Sequence, residues 1–135
     1  DPNIAKLLNV KSSELMSIRL LSVNLEDVGD ELKRVARFLS SQDLDVKLKK
    51  SLLILFSDVE KAYLNVMKAY YTKDVELAFE IDFWKDDFVD KCNKLYDKHP
   101  VSGFARILER LKKMSSGISN LAGVIYSSGF ENEKK

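Results

Sequence analysis

Glu26 and Asp30 stand four residues apart, and Asp27 and Glu31 repeat that spacing one place further on. On a helix, residues i and i+4 are stacked neighbours, so these four carboxylates crowd one flank. Like charges at this spacing cost a few tenths of a kcal/mol per pair, roughly, so the helix gains nothing from them locally. A cation or a basic partner would offset the repulsion. The ordinary alternative is a solvated charged flank neutralised by the following Lys33, Arg34 and Arg37. Asp82, Asp86 and Asp90 repeat the theme at steps of four, with Asp87 beside them. Here too each acid has a local base within reach: Lys85 for Asp82, Lys91 for Asp87 and Lys94 for Asp90.

Apolar residues recurring at three and four identify the helices that carry these acids. Leu25, Val28, Leu32, Val35 and Leu39 mark the first, running from about Ser13 to Ser40, with Ser12 or Ser13 as N-cap. A short turn around Ile4, Leu7 and Leu8 precedes it. Asp43 caps the second helix, which reaches about Tyr71 through Leu48, Leu52, Leu55, Phe56, Val59, Ala62, Tyr63, Val66 and Tyr70. Leu52 to Phe56 are five consecutive apolar residues, more than one stripe needs. They predict a second buried face, against a dimer mate or another domain. Asp74 opens the third helix, with Ala78, Ile81, Trp84, Phe88, Cys92 and Leu95 facing inward, and His99-Pro100 ends it. Ser102 caps the fourth, where Phe104, Ile107, Leu111, Met114, Ile118, Leu121 and Ile125 form the stripe and Gly129 the C-cap. Short connections between such helices make antiparallel neighbours. The expected fold is all-α, an up-and-down antiparallel bundle of four main helices over residues 1–130, with 131–135 as a frayed tail.

The 135 residues suit one domain with a sizeable core. The net charge of +1 supplies no global field for nucleic acid, so no direct nucleic-acid binding is expected of this segment. The charge is nevertheless uneven. Eight acids face four bases between Asp74 and Lys98, a net of −4, whereas Val101 to Ser128 holds four bases and one acid, a net of +3. Those two helices are suited to pair with each other. Cys92 is the sole cysteine, which leaves no intramolecular disulfide and no CxxC metal site. His99 is the sole histidine and lies in a turn, and no nucleophile, base and acid arrangement accompanies it, so no catalysis is expected. Trp84 and Tyr63 read as core or interface anchors. No run approaches eighteen apolar residues, and no basic region leads into an apolar one at the start. A cytoplasmic setting is expected. The chain starts at Asp1 rather than Met, as the C-terminal part of a longer protein would.

The stretch Ile18 to Ala36, IRLLSVNLEDVGDELKRVA, resembles the signature helix of the PhoU family of phosphate-uptake regulators, and the matching core is Leu25, Glu26, Val28, Gly29 and Asp30. The start, with Asp1-Pro2, Ile4-Ala5 and Leu7-Leu8, is similar to archaeal members of that family. The resemblance implies a metal-binding motif at Glu26 and Asp30. A second family-like pattern, Asp74, Ala78, Asp86 and Asp90, adds Asp86 and Asp90 to the implied ligand set. Carboxylates without His or Cys suit Mg, Mn, Ca or iron, so the implied cofactor is a divalent or iron-type metal ion. At the second signature position, Lys112 and Ser116 replace the two acids, which removes a second site there, while Asn120-Leu121-Ala122 keeps the family pattern.

The resemblance further implies a non-enzymatic regulator of phosphate uptake or signalling. Its partners would be a second copy, in a homodimer, and a membrane sensor kinase or the ATPase subunit of a phosphate transporter. It would then sit in the cytoplasm, at the periphery of that membrane complex. The alternative is a metal-free structural dimerisation bundle of a larger transcriptional regulator with an AbrB-like DNA-binding domain. A carboxylate-bridged metal enzyme in a ferritin-like bundle would want Glu-x-x-His on two helices, and the chain has no such motif.

Overall fold

The computed structural model describes residues 24, 26–41 and 44–127. Among them the chain forms four helices and no strand: α1 (26–41), α2 (Val46–Thr72), α3 (Val75–Lys98) and α4 (Ser102–Ser127). The expected caps at Ser12, Ser13, Asp43 and Gly129, the turn around Ile4 and the 131–135 tail lie outside the described residues.

Two boundaries differ from the sequence expectation. Leu44 and Asp45 are not helical, so α2 begins at Val46 rather than beside Asp43, and the Asp45 side chain makes no capping bond. Ser102 is the first helical residue of α4 and stands one place inside the cap position expected for it. Helix ends are the part of an element that local patterning defines least.

The α2–α3 turn shows why two residues suffice to reverse the chain. Lys73 adopts a left-handed conformation (φ 54°), and the Asp74 N–H reaches back 2.9 Å to the Ala69 carbonyl. The Lys73 N–H points at the Tyr70 carbonyl, 3.4 Å away. Together these satisfy carbonyls that the helix end leaves without partners. Asp74 then starts α3 at once, its Oδ1 accepting from the Leu77 N–H at 3.1 Å, as a capping residue does. At the other end of α3, His99 closes the helix ahead of Pro100.

Cross-helix pairs give the directions. Asp82 meets Ser119 and Tyr126, while Asn93 further along α3 meets Lys112 earlier in α4, so these two helices run antiparallel. Val28 lies beside Gly117 and Glu31 beside Arg110, which makes α1 antiparallel to α4 as well. The core is one cluster. Val28, Leu32, Val35 and Leu39 of α1 and Leu52, Leu55, Val59, Ala62 and Val66 of α2 join Ala78, Ile81, Phe88 and Cys92 of α3. Helix α4 is the hub: its whole predicted stripe from Phe104 to Ile125 is buried, with Leu108, Ser115, Ser119 and Ala122 widening the buried face. A helix with that width of apolar surface packs against several neighbours rather than one. It therefore sets the positions of the polar groups on its margins.

Candidate functional site

Glu26 and Asp30 lie exposed on α1, on the flank left over once Val28 and Leu32 turn inward. Gly29, between them, brings the backbone close to α2. A Cβ added there would sit 3.3 Å from the Tyr63 hydroxyl oxygen. Within the acidic run the basic neighbours converge on Glu31. Arg34 approaches it at 3.5 Å from the next turn, and Arg110 reaches it at 2.8 Å from α4. The neutralisation expected from Lys33, Arg34 and Arg37 is thus partly supplied by a helix far away in sequence.

Asp86 and Asp90 are exposed on α3. Lys94 takes Asp90 at 3.0 Å, the local pairing expected for it, and Lys85 lies 3.8 Å from Asp86 rather than pairing with Asp82. The acids therefore form two separate pairs, one on α1 and one on α3. No group of three or more His, Cys, Asp or Glu side chains gathers at metal-binding spacing among the described residues. Glu26 and Asp30 are oxygen donors of the type a hard cation takes, at a spacing that lets both reach one ion. They supply two of the six to eight ligands, roughly, that such an ion needs. The rest would come from water or another chain. Asp86 and Asp90 fit a cation less well, because a lysine already contacts each.

Asp82 behaves unlike the rest of its series. It turns toward α4, where the Ser119 hydroxyl donates to Oδ1 and the Tyr126 hydroxyl donates to Oδ2 at 2.8 Å. These two bonds, Ser119 first, hold its carboxyl below the usual carboxylate range against the opposing effect of burial, with Lys85 adding to the lowering. The same bond raises the Tyr126 phenol above its ordinary range, since ionising it would set two anions together. Phe79 stacks on Tyr126 with ring centroids 4.3 Å apart and fixes the phenol in place.

Between α3 and α4 lies an open cleft of about 500 Å³, lined by Lys85, Val89, Glu109, Arg110, Lys112, Lys113 and Ser116. Lys112 is held there by Asn93 Oδ1 at 3.0 Å and by Glu109 at 2.6 Å. The replacement of two acids by Lys112 and Ser116, read from the sequence as the loss of a site, makes this cleft basic. The uneven charge of the two helices was the available signal for it. What that signal lacked was the contribution of Lys85 from α3.

The remaining candidates are structural. Cys92 is fully buried, and burial pushes its thiol up to about 12, so it is an inert core group. Trp84 is half-buried and lies 4.9 Å from Phe88, and Tyr63 packs against the core, as expected of anchors. His99 is exposed in its turn, edge-on to Phe104 at 6.5 Å. No helix among the described residues is long and apolar enough to cross a membrane.

No family model and no solved structure matches the chain. A curated relative does. The chain is 32% identical over 84 residues to the protein described as phosphate-specific transport system accessory protein PhoU homolog 1, from Thermotoga maritima. The match covers 59% of this chain and 35% of that protein, so it spans about a third of the relative's length. Over 59% of its own length, the chain is similar to that PhoU homolog.

Proposed function

We propose that this chain is a PhoU-like, non-enzymatic regulator of phosphate uptake that works by protein–protein contact. The observation that carries the reading is the 84-residue match to a relative whose own name places it in phosphate-specific transport. The all-helical bundle supports it, because such a fold offers long exposed helix faces for docking. Two faces suit that use. One is the acidic flank of α1, with Glu26, Asp27 and Asp30 exposed, which fits a basic surface. The other is apolar: Leu53, Ile54 and Leu64 of α2 stand 49%, 65% and 57% exposed. Such residues mark interaction surfaces when they gather on one element. A second copy is the proposed occupant of the apolar face. A membrane sensor kinase or the ATPase subunit of a phosphate transporter is the proposed occupant of the acidic one, with the chain on the cytoplasmic side.

A divalent or iron-type cation joins this reading only as an ion held by Glu26 and Asp30, where it would neutralise those two carboxylates. The regulation itself is assigned to contact between proteins.

The test is phosphate uptake by cells of the source organism grown in ample phosphate. Deleting the coding region is expected to raise uptake, and restoring the chain to lower it again. A Glu26→Lys/Asp30→Lys chain that folds should fail to restore control. Uptake that is the same with and without the chain would overturn the reading.

A further inference from the structure

We propose that the cleft between α3 and α4 binds a small anion carrying two or more phosphoryl groups. Four cations line it, Lys85, Arg110, Lys112 and Lys113, against the single carboxylate of Glu109. That is a net of +3, and Glu31, which reaches Arg110 from α1, and Asp86, 3.8 Å from Lys85, lower it to +1. Each of these acids is engaged with a lining cation: Glu109 accepts from Lys112 at 2.6 Å and Glu31 from Arg110 at 2.8 Å.

These contacts position the cations without using up their donors. An ammonium has three N–H groups and a guanidinium five. Lys112, with Asn93 and Glu109 as partners, keeps one N–H for a ligand. Arg110 meets Glu31 through Nη1 alone, which leaves its other nitrogens. Lys85 and Lys112 are half-buried, at 33% and 22% side-chain exposure, so less side-chain freedom is lost when a ligand arrives. The Ser116 hydroxyl adds a neutral donor one helical turn beyond Lys112 and Lys113, and Val89 supplies an apolar wall.

Phosphoryl oxygens match this donor set. Arginine binds them through a planar fork, and lysine binds them as a point charge. Four cations drawn from two helices offer more donors than one oxyanion engages, which argues for a ligand with more than one such group. Arg110 links the cleft to Glu31 of α1, and the inference stands whether or not the chain regulates phosphate uptake.

Isothermal titration of the full chain at a fixed ionic strength of about 0.15 M, near physiological, tests this. The probes are pyrophosphate, tripolyphosphate, ATP, orthophosphate and sulfate. Saturable 1:1 binding is expected for the first three, with orthophosphate and sulfate weaker by about tenfold or more, since each lost charge-assisted bond is worth roughly that factor. ATP binding tighter than tripolyphosphate would identify a nucleotide as the ligand. The reverse order would identify an inorganic phosphate chain. Lys85→Gln and Lys113→Gln should each weaken binding about tenfold. Lys61→Gln, on the exposed side of α2, should leave it unchanged. Three results would overturn the proposal: no saturable binding at millimolar ligand, equal affinity in all three variants, or several weak sites that follow ionic strength alone.

Discussion

Tyr126 donates its phenolic proton to Asp82 across the α3–α4 interface, Oη to Oδ2 at 2.8 Å, while Ser119 donates to the other carboxylate oxygen. Both oxygens of one partly buried acid are thereby satisfied by the helix opposite, which ties the two helices in register. A carboxylate whose folded pKa is depressed contributes stability that is present above its unfolded value of about 3.9 and is lost as pH falls through the folded value. The Tyr126 phenol has the opposite sign. Its pKa is raised, so its contribution holds below the ordinary value of about 10 and fades as pH rises past it. Asp82→Asn should therefore cost about 1 kcal/mol at neutral pH, a figure reduced for partial exposure, and cost less below pH ~3.9. Urea unfolding of both proteins from pH 3 to 7 measures the difference. A gap that stays constant across that range would remove Asp82 from the acid response.

The two helical glycines facing other helices separate by what lies opposite. A Cβ at Gly117 would meet Val28 Cγ2 at 3.6 Å, an ordinary contact, whereas at Gly29 it would meet the Tyr63 hydroxyl at 3.3 Å. Alanine in a helix interior is favoured over glycine by roughly 0.5–1 kcal/mol. Gly117→Ala should gain most of that. Gly29→Ala should gain less, because Tyr63 has to shift by a few tenths of an ångström. Thermal melts that rank the two the other way round would contradict the close approach of α1 and α2 at Tyr63.

How much of this was legible in sequence depends on what periodicity records. The stripes Val28–Leu39 and Phe104–Ile125 were readable because burial of apolar groups repeats with the helical turn. Asp74 was readable as a cap because the capping bond is local. Asp82 was not, since spacing by four grouped it with Asp86 and Asp90 while its partners Ser119 and Tyr126 come from another helix. Arg110 escaped notice for the same reason: the acid it pairs with lies 79 residues away. The start of α2 was misplaced because residues 42–45 offer two aspartates, and cap chemistry alone does not choose between them.

The apolar excess read at Leu52–Phe56 divides in the structure. Leu52 and Leu55 go into the core, while Leu53 and Ile54 remain 49% and 65% exposed. Burying that pair in a homodimer is favourable at roughly 25 cal/mol per Å² of apolar area. Sedimentation equilibrium at micromolar concentration is expected to show a dimer. Ile54→Glu should shift it to monomer with little change in helicity, because the position makes no contribution to the monomer core. A parent protein that sediments as a clean monomer would sink the homodimer and leave the face to a different partner.

The cation prediction turns on the contrast between the two acidic pairs. Lys94 already neutralises Asp90 at 3.0 Å, and Lys85 sits 3.8 Å from Asp86. On α1 the arginines converge on Glu31, while Glu26 and Asp30 face solvent. A manganese or iron(II) ion should therefore raise the melting temperature through α1 alone. An ion that binds only the folded form stabilises by mass action, about 2.7 kcal/mol at a hundredfold excess over its dissociation constant. Glu26→Gln/Asp30→Asn should abolish the rise, and Asp86→Asn/Asp90→Asn should keep it. Without metal, the α1 variant should be as stable as the parent or slightly more so, because it relieves like-charge repulsion at i, i+4. Two carboxylates alone bind weakly, so the rise is expected at millimolar rather than micromolar metal. A response of equal size with magnesium, calcium and matched ionic strength of a monovalent salt would reduce the flank to a solvated charged surface.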